Sequence, residues 1–311
     1  MARIGFIFPG QGSQAVGMGA ACARASVAAR RLFERASELL GYDLGRLCWD
    51  GPIETLNLTE HTQPALLTAS LAAWTLVREA GIAPAAVAGH SVGEYTALVA
   101  AGAVEFDAAL PLVRNRGRYM QEAVPPGVGA MAAILGLDAD AVAAVCREAA
   151  AAGVVSPANL NAPIQIVVAG HKAAVERAME LAKARGAKRT LPLAVSVPSH
   201  CALMEPAARK LAADLETVAW RAPEIPVVAN VSAQPLASAV EVKQALVAQL
   251  ASPVRWVESI QRMAADGIDT FIEIGPGTVL SGLVKRIVPD ARLFHIEDPE
   301  SLAATAHALG R

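Results

Sequence analysis

The sequence predicts an α/β fold whose core is assembled from two separated stretches of chain, with a small ferredoxin-like α+β subdomain inserted between them. Three observations carry this reading. Short apolar runs ending in glycine-rich turns alternate with helical stretches over residues 1–125, and the same texture returns over 198–311. Between them, over 126–197, the order is β-α-β-β-α-β, the split βαβ pattern. The 311 residues are 54% hydrophobic and only 18% charged, enough for one large core plus an insert and incompatible with a disordered chain.

Taken in order, Ile4 to Phe8 reads as a buried strand that stops at Pro9-Gly10, where a loop carrying Gln11, Gly12, Ser13 and Gln14 begins. Helical signal covers 26–40. A second helix is expected over 64–80, with Leu67, Leu71 and Trp74 on one face and Gly81 ending it. A short strand over 85–88 runs straight into Gly89-His90-Ser91-Val92-Gly93, and helix resumes at Glu94. In the insert, strands are expected at 129–135, 154–158, 165–169 and 188–195 and helices at 138–152 and 172–185. An Asn/Pro loop is expected at 159–163. The second part of the core should hold a helix within 200–215, a strand at 225–230, and helical signal over 240–250 and again after Pro253. A strand at 270–274 follows, then a helix from about Val279 and a closing strand at 292–296.

Bulk properties exclude several functions. With 27 basic and 29 acidic residues there is no nucleic-acid footprint. Cys22, Cys48, Cys146 and Cys201 form no close pair, so they read as reduced thiols rather than zinc ligands or disulfides. No export signal and no membrane span are visible, which points to the cytoplasm. Gly275-Pro276-Gly277 lacks the Lys-Ser/Thr of a phosphate loop and the spacing of a dinucleotide fingerprint, so ATP and NAD are not expected. No exposed apolar helix or coiled-coil pattern demands a second copy, so a monomer is expected.

Gly89-His90-Ser91-Val92-Gly93 fits G-x-S-x-G between a strand and a helix. A nucleophile there needs a tight, strained turn that exposes its oxygen, with the helix N-terminus behind it facing developing negative charge. Glycine-rich turns between strand and helix are also common without catalysis, and the motif alone leaves both readings open. The hydroxyl needs a base. Of the six histidines, His200 sits in a Pro-Ser-His turn where the insert rejoins the core, a place as suited to a structural histidine as to a catalytic one. His90, beside the nucleophile on a sharp turn, points away from it and is a poor base. Glu94, in the first helical turn, suits the helix dipole. Arg114 and Arg118 share one helix side, and Arg116 faces another.

The ordered set Gly10-Gln11-Gly12-Ser13-Gln14, Gly89-His90-Ser91-Val92-Gly93-Glu94-Tyr95, Arg116-Gly117 with Met120-Gln121, Asn159 with Asn161-Ala162-Pro163, Pro198-Ser199-His200 and Glu273-Ile274-Gly275-Pro276-Gly277 resembles the malonyl-CoA:acyl carrier protein transacylases of bacterial type II fatty acid synthesis. The resemblance runs from Ile4 to about Ile287, departing at Val92, where the family more often has Leu. It implies a hydrolase-like core with a parallel sheet and a nucleophile elbow. It also implies ping-pong transfer of malonyl from malonyl-CoA to the phosphopantetheine thiol of acyl carrier protein through a malonyl-serine ester, with no cofactor or metal. Residue by residue it implies Ser91 as nucleophile and His200 as base, oriented by the backbone carbonyl of Gln249. The backbone N–H groups of Gln11 and Val92 form the oxyanion hole. Arg116 clamps the malonyl carboxylate, and the Gln11 side chain, His90 and Gln63 are pocket residues. Carrier proteins of this type are acidic, so Lys188-Arg189 on the insert and Lys285-Arg286 on the core are expected to flank the cleft as a docking rim. Rival readings are an acyltransferase of polyketide synthesis or malonate decarboxylase, a serine thioesterase or hydrolase, and a noncatalytic carrier-binding scaffold.

Overall fold

The computed structural model describes residues 2–195 and 197–310. The first part of the chain forms β1 (Ile4–Phe8), four short to medium helices α1–α4 (Ala20–Ala25, Val27–Leu40, Leu44–Asp50, Ile53–Leu56), α5 (Thr59–Glu79), β2 (Ala86–Gly89), α6 (Gly93–Ala100) and α7 (Phe106–Ala123). The insert supplies β3 (Gly129–Leu135), α8 (Ala139–Ala149), β4 (Val155–Ala162), β5 (Gln165–His171), α9 (Lys172–Ala184) and β6 (Arg189–Pro192). The chain then returns through α10 (Glu205–Glu216), β7 (Val227–Val228), α11 (Ala239–Ala251), α12 (Trp256–Ala265), β8 (Thr270–Ile274), α13 (Val279–Ile287), β9 (Arg292–Ile296) and α14 (Pro299–Ala308).

Two sheets follow. The core sheet is parallel, in the order β7-β2-β1-β8-β9. Its central strands are buried along their whole length, Ile4 to Phe8 without a polar side chain and Thr270 to Ile274 with Thr270 and Glu273 among apolar residues, because helices cover both faces. The insert sheet is antiparallel, in the order β4-β5-β3-β6, and packs α8 and α9 on one face through Ile134, Val145, Val168, Val175 and Ala178. That is the ferredoxin-like arrangement.

Three expectations need correction. Residues 159–163 are not a loop. β4 runs through them to Ala162, with register shifts between Pro157 and Asn159 and between Leu160 and Ala162, so the turn to β5 is only Pro163-Ile164. Bulges absorb the extra residues, and the backbone there is occupied by the core: Leu160 N–H donates to Val254 O and Val254 N–H to Ala158 O, each at 2.9 Å. Second, α5 begins five residues before Pro64, which lies inside it. Third, only Val227 and Val228 of the expected 225–230 strand pair with β2, because the chain folds back at once, with Ala229 N–H on Gln234 O and Leu236 N–H on Val227 O. No helix among the described residues is long and apolar enough to cross a membrane.

Candidate active site

β2 ends at Gly89 and α6 begins at Gly93, leaving three residues to reverse the chain. Close packing forces glycine at both ends. A Cβ on Gly89 would lie 1.9 Å from the Gly93 carbonyl, and one on Gly93 2.3 Å from Phe8 O. The turn holds Ser91 at φ 53, a left-handed conformation that costs a non-glycine residue about 1–3 kcal/mol. His200, at φ 63, is a second such residue, on the turn after the insert rejoins the core. These two strained residues meet: Ser91 Oγ lies 2.8 Å from His200 Nε2.

The tautomer follows from the partners. His200 Nδ1 is 2.7 Å from the Gln249 carbonyl oxygen, which can only accept, so Nδ1 carries the proton and donates. Nε2 is left bare toward the serine hydroxyl. Burial, and next the cationic Arg116, push the His200 pKa down to about 3, so the ring is neutral and able to take a proton. The main-chain acceptor fixes the ring as a carboxylate would in a triad.

Arg116, on α7, is 1% exposed and projects into the same place. Its Nη1 donates to Gln63 Oε1 at 2.8 Å, and its Nη2 to Gln249 Oε1 at 2.8 Å and to Ser91 Oγ at 3.2 Å. Both fixed acceptors are neutral amides. No carboxylate lies within 4 Å of the guanidinium among the described residues, and its Nε–H has no partner. A buried cation held this way keeps its full charge for an incoming anion. Burial lowers its pKa, yet a guanidinium stays protonated.

These groups line a pocket of about 100 Å³ with Gln11, His90, Val92, Met120, Met131, Asn159 and Leu193 around them. It is far below the roughly 300–1,000 Å³ that drug-sized ligands fill, so it holds a short acyl group and leaves a long chain or carrier outside. One wall is core and the other is insert. Gln11 and Val92 both line this pocket, and among the described residues neither backbone N–H has an acceptor. The Ser91 N–H, by contrast, is taken by Asn230 Oδ1 at 2.8 Å.

The remaining expected residues fall in several places. His90 turns away from the nucleophile: its Nε2 pairs with Asn161 Oδ1 at 2.8 Å and its ring packs edge-on against Trp256. The Gln11 amide donates to Thr59 Oγ1 at 3.2 Å. Gln63, expected as a pocket polar residue, is buried on α5 and does not line the pocket, accepting instead from Arg116 Nη1. None of Lys188, Arg189, Lys285 and Arg286 lines the pocket. Lys188, Arg189 and Arg286 do share one end of the insert sheet: Lys188 N–H donates to Leu135 O, Arg189 pairs with Leu135, Leu135 with Gln165, and the Arg286 guanidinium donates to Gln165 Oε1, while Lys285 Nζ donates to Pro289 O at 2.6 Å. The side chain of Gln249, and Asn230 altogether, were missed from sequence; an amide on a helix and an asparagine past an edge strand carry no local signal. Among the described residues no group of His, Cys, Asp and Glu is arranged to hold a metal.

Comparison with known proteins bears directly on this geometry. Residues 5–297 match the acyl transferase domain family. The malonyl CoA-acyl carrier protein transacylase of Escherichia coli (strain K12) is 53% identical over 305 residues, which is 98% of this chain and 99% of that protein. An acyl carrier protein S-malonyltransferase from Vibrio cholerae superposes with a TM-score of 0.96 at 52% identity, covering 98% of this chain and 100% of that one. A malonyl-transacylase solved in complex with its type II PKS acyl-carrier protein superposes equally well, with a TM-score of 0.96 at 50% identity over 99% of this chain and 100% of that one.

Proposed function

The chain belongs to the acyl transferase family and within it to the bacterial malonyl-CoA:acyl carrier protein transacylases, and from that membership we propose how its pocket carries out the transfer. The enzyme moves malonyl from malonyl-CoA to the phosphopantetheine thiol of acyl carrier protein, in the cytoplasm, supplying malonyl-ACP for fatty acid elongation. The observation that carries the assignment of roles is the buried Arg116 guanidinium, without a carboxylate partner, 3.2 Å from the Ser91 hydroxyl.

In the first half-reaction the malonyl carboxylate pairs with Arg116, which places the thioester carbonyl against Ser91. Pairing also offsets the positive charge that holds down the basicity of His200, so substrate binding strengthens the base. His200 Nε2 takes the hydroxyl proton as Ser91 Oγ bonds to the carbonyl carbon. The resulting oxyanion accepts the N–H groups of Gln11 and Val92. The tetrahedral species collapses, the carbon–sulfur bond breaks, and the proton on His200 passes to the departing coenzyme A thiolate. The second half-reaction reverses these roles: the phosphopantetheine thiol loses its proton to His200, attacks the malonyl-serine ester, and Ser91 leaves with the proton. The division into 1–125, 126–197 and 198–311 belongs to this reading, since it puts nucleophile and clamp on the first part, one pocket wall on the insert, and the base on the third. Met1, Ser196 and Arg311 lie outside the described residues.

A polyketide carrier as second substrate is the alternative that one relative favours, the transacylase solved with a type II PKS acyl-carrier protein. The test is intact-protein mass after brief incubation with malonyl-CoA or acetyl-CoA, followed by chase with each holo carrier protein. A malonyl adduct absent from Ser91→Ala, weak with acetyl-CoA and discharged onto the fatty-acid carrier is expected. Rapid release of free malonate without a thiol acceptor would establish a hydrolase instead.

A further inference from the structure

Behind the pocket lies a carboxylate that the mechanism above does not use. Glu94, in the first turn of α6, is 0% exposed and does not line the pocket. A single oxygen, Oε2, accepts from Asn230 N–H at 3.0 Å and from Gln249 Nε2 at 2.8 Å. No cation lies within ion-pair distance of it among the described residues.

Its two donors are the residues on which the reacting groups rest. Asn230 uses Oδ1 to take the Ser91 N–H at 2.8 Å and Nδ2 to reach Gly89 O at 2.7 Å, spanning the strained turn from one end to its centre. Gln249 uses its main-chain oxygen for His200 and Oε1 for Arg116, and Nε2 also donates to Ser91 O at 3.0 Å. The direction of the Gln249 amide is what matters. Reversed, it would turn an NH₂ toward a guanidinium and an oxygen toward both the Glu94 carboxylate and the Ser91 carbonyl. The carboxylate on one side and the cation on the other permit only one orientation.

We propose that Glu94 is the positioning residue that fixes the Gln249 amide and the Asn230 backbone, and through them sets Ser91, His200 and Arg116 in mutual register from beneath the pocket. The place needs one side-chain oxygen able to accept two N–H bonds, and Oε2 of Glu94 supplies it from the first turn of α6. The arrangement also explains how Arg116 is held without losing its charge. The Glu94 carboxyl sits one amide further away, and the guanidinium itself donates only to neutral oxygens.

The proposal rests on the malonyl-transfer reading, and the experiment separates the two. Single-turnover acylation by malonyl-CoA and by acetyl-CoA is measured by quenched intact mass for wild type, Glu94→Gln and Glu94→Leu, with thermal unfolding of each. Wild type that forms no malonyl adduct sinks the functional reading. Glu94→Gln keeps an oxygen facing both donors, so acylation close to wild type is expected. In Glu94→Leu, malonyl acylation should fall by about 10²-fold, the effect of a 1 Å misplacement, and fall more than acetyl acylation, so that selectivity shrinks. A folded Glu94→Leu with wild-type selectivity overturns the proposal. So does a loss of activity that merely tracks the folded fraction. If Glu94→Leu does not fold, Gln249→Met carries the test, since it keeps the main-chain acceptor for His200 and removes the amide. The same loss of selectivity is expected, and its retention overturns the proposal.

Discussion

Replacing Arg116 by Met should cost selectivity and raise stability. Met fills much of the arginine stem and removes the guanidinium. In the proposed wild-type complex the malonyl carboxylate meets a buried cation with no carboxylate partner among the described residues; in the variant it would sit unpaired in the same place. Removing one member of a buried pair costs about 3–5 kcal/mol. At about 1.36 kcal/mol per decade this is about a 10²- to 10⁴-fold loss in the second-order rate constant for malonyl-CoA. Acetyl-CoA has no carboxylate to strand. It loses only the 3.2 Å contact from Nη2 to Ser91 Oγ, and the variant relieves His200 of the charge that depresses its basicity, so acetyl acylation should change by under about tenfold. The assay is quench-flow with intact mass at several concentrations of each thioester. The empty variant should also melt at a higher temperature, because a desolvated cation without a carboxylate partner is gone. A parallel fall with both thioesters would refute the argument, since Arg116 would then serve the nucleophile rather than the substrate. Surviving malonyl preference would refute it equally.

Further outcomes are expected. The folded state binds fewer protons at His200 between the ordinary value of 6.5 and about 3, so its contribution to stability is full above 6.5 and is lost as pH falls; Glu94, raised by burial from 4.5 to about 7, binds more, so its contribution is largest below 4.5 and is lost as pH rises through 7. The two oppose each other between 4.5 and 6.5. Urea midpoints across that range should therefore fall more steeply toward acid in Glu94→Gln than in wild type, and equal slopes would contradict the assignment. Reversing Lys188, Arg189, Lys285 and Arg286 to Glu should raise the KM for acyl carrier protein several-fold at low salt and leave malonyl-CoA acylation intact, and an unchanged KM would remove this rim from docking. Gly89→Ala should be insoluble or lose more than the roughly 3 kcal/mol of ordinary overpacking, because the added carbon meets backbone rather than a movable side chain; a wild-type urea midpoint would show that the turn is looser than described.

Strand and turn positions were legible where one segment contained the whole signal. The Gly89–Gly93 turn, β1, β8 and the insert order could all be read because apolar runs and glycines sit together in sequence. What failed depended on contacts between distant segments. Residues 159–163 look like a loop from their Asn and Pro content, but bulged pairing with Val167, Ile166 and Gln165 of β5 makes most of them strand, and the distant Val254 bridges to Asn159. Pro64 looks like a helix start, yet α5 begins earlier and includes Gln63, which accepts from Arg116 Nη1 and does not line the pocket. Asn230 and the Gln249 side chain are 139 and 158 residues from Ser91, and nothing local marks either. The residues proposed to react came from resemblance; the buried amides and carboxyl behind them emerged only from the folded geometry.

The order of strands in the core sheet also dictates an order of events. β1, among the first residues to be synthesised, lies in the middle of the sheet, and its neighbour β8 is made some 260 residues later. Among the described residues every strand of the insert finds its sheet neighbours within residues 129–192, and only the bridge from Asn159 to Val254 reaches outside. On the ribosome the insert can therefore reach its native pairing while β1 still exposes an unpaired, wholly apolar edge. A chain stalled before Thr270 would carry a finished small domain beside an open template for intermolecular strand addition, so chaperone contacts during translation should centre on the N-terminal strand and ease only as the last seventh or so of the chain emerges.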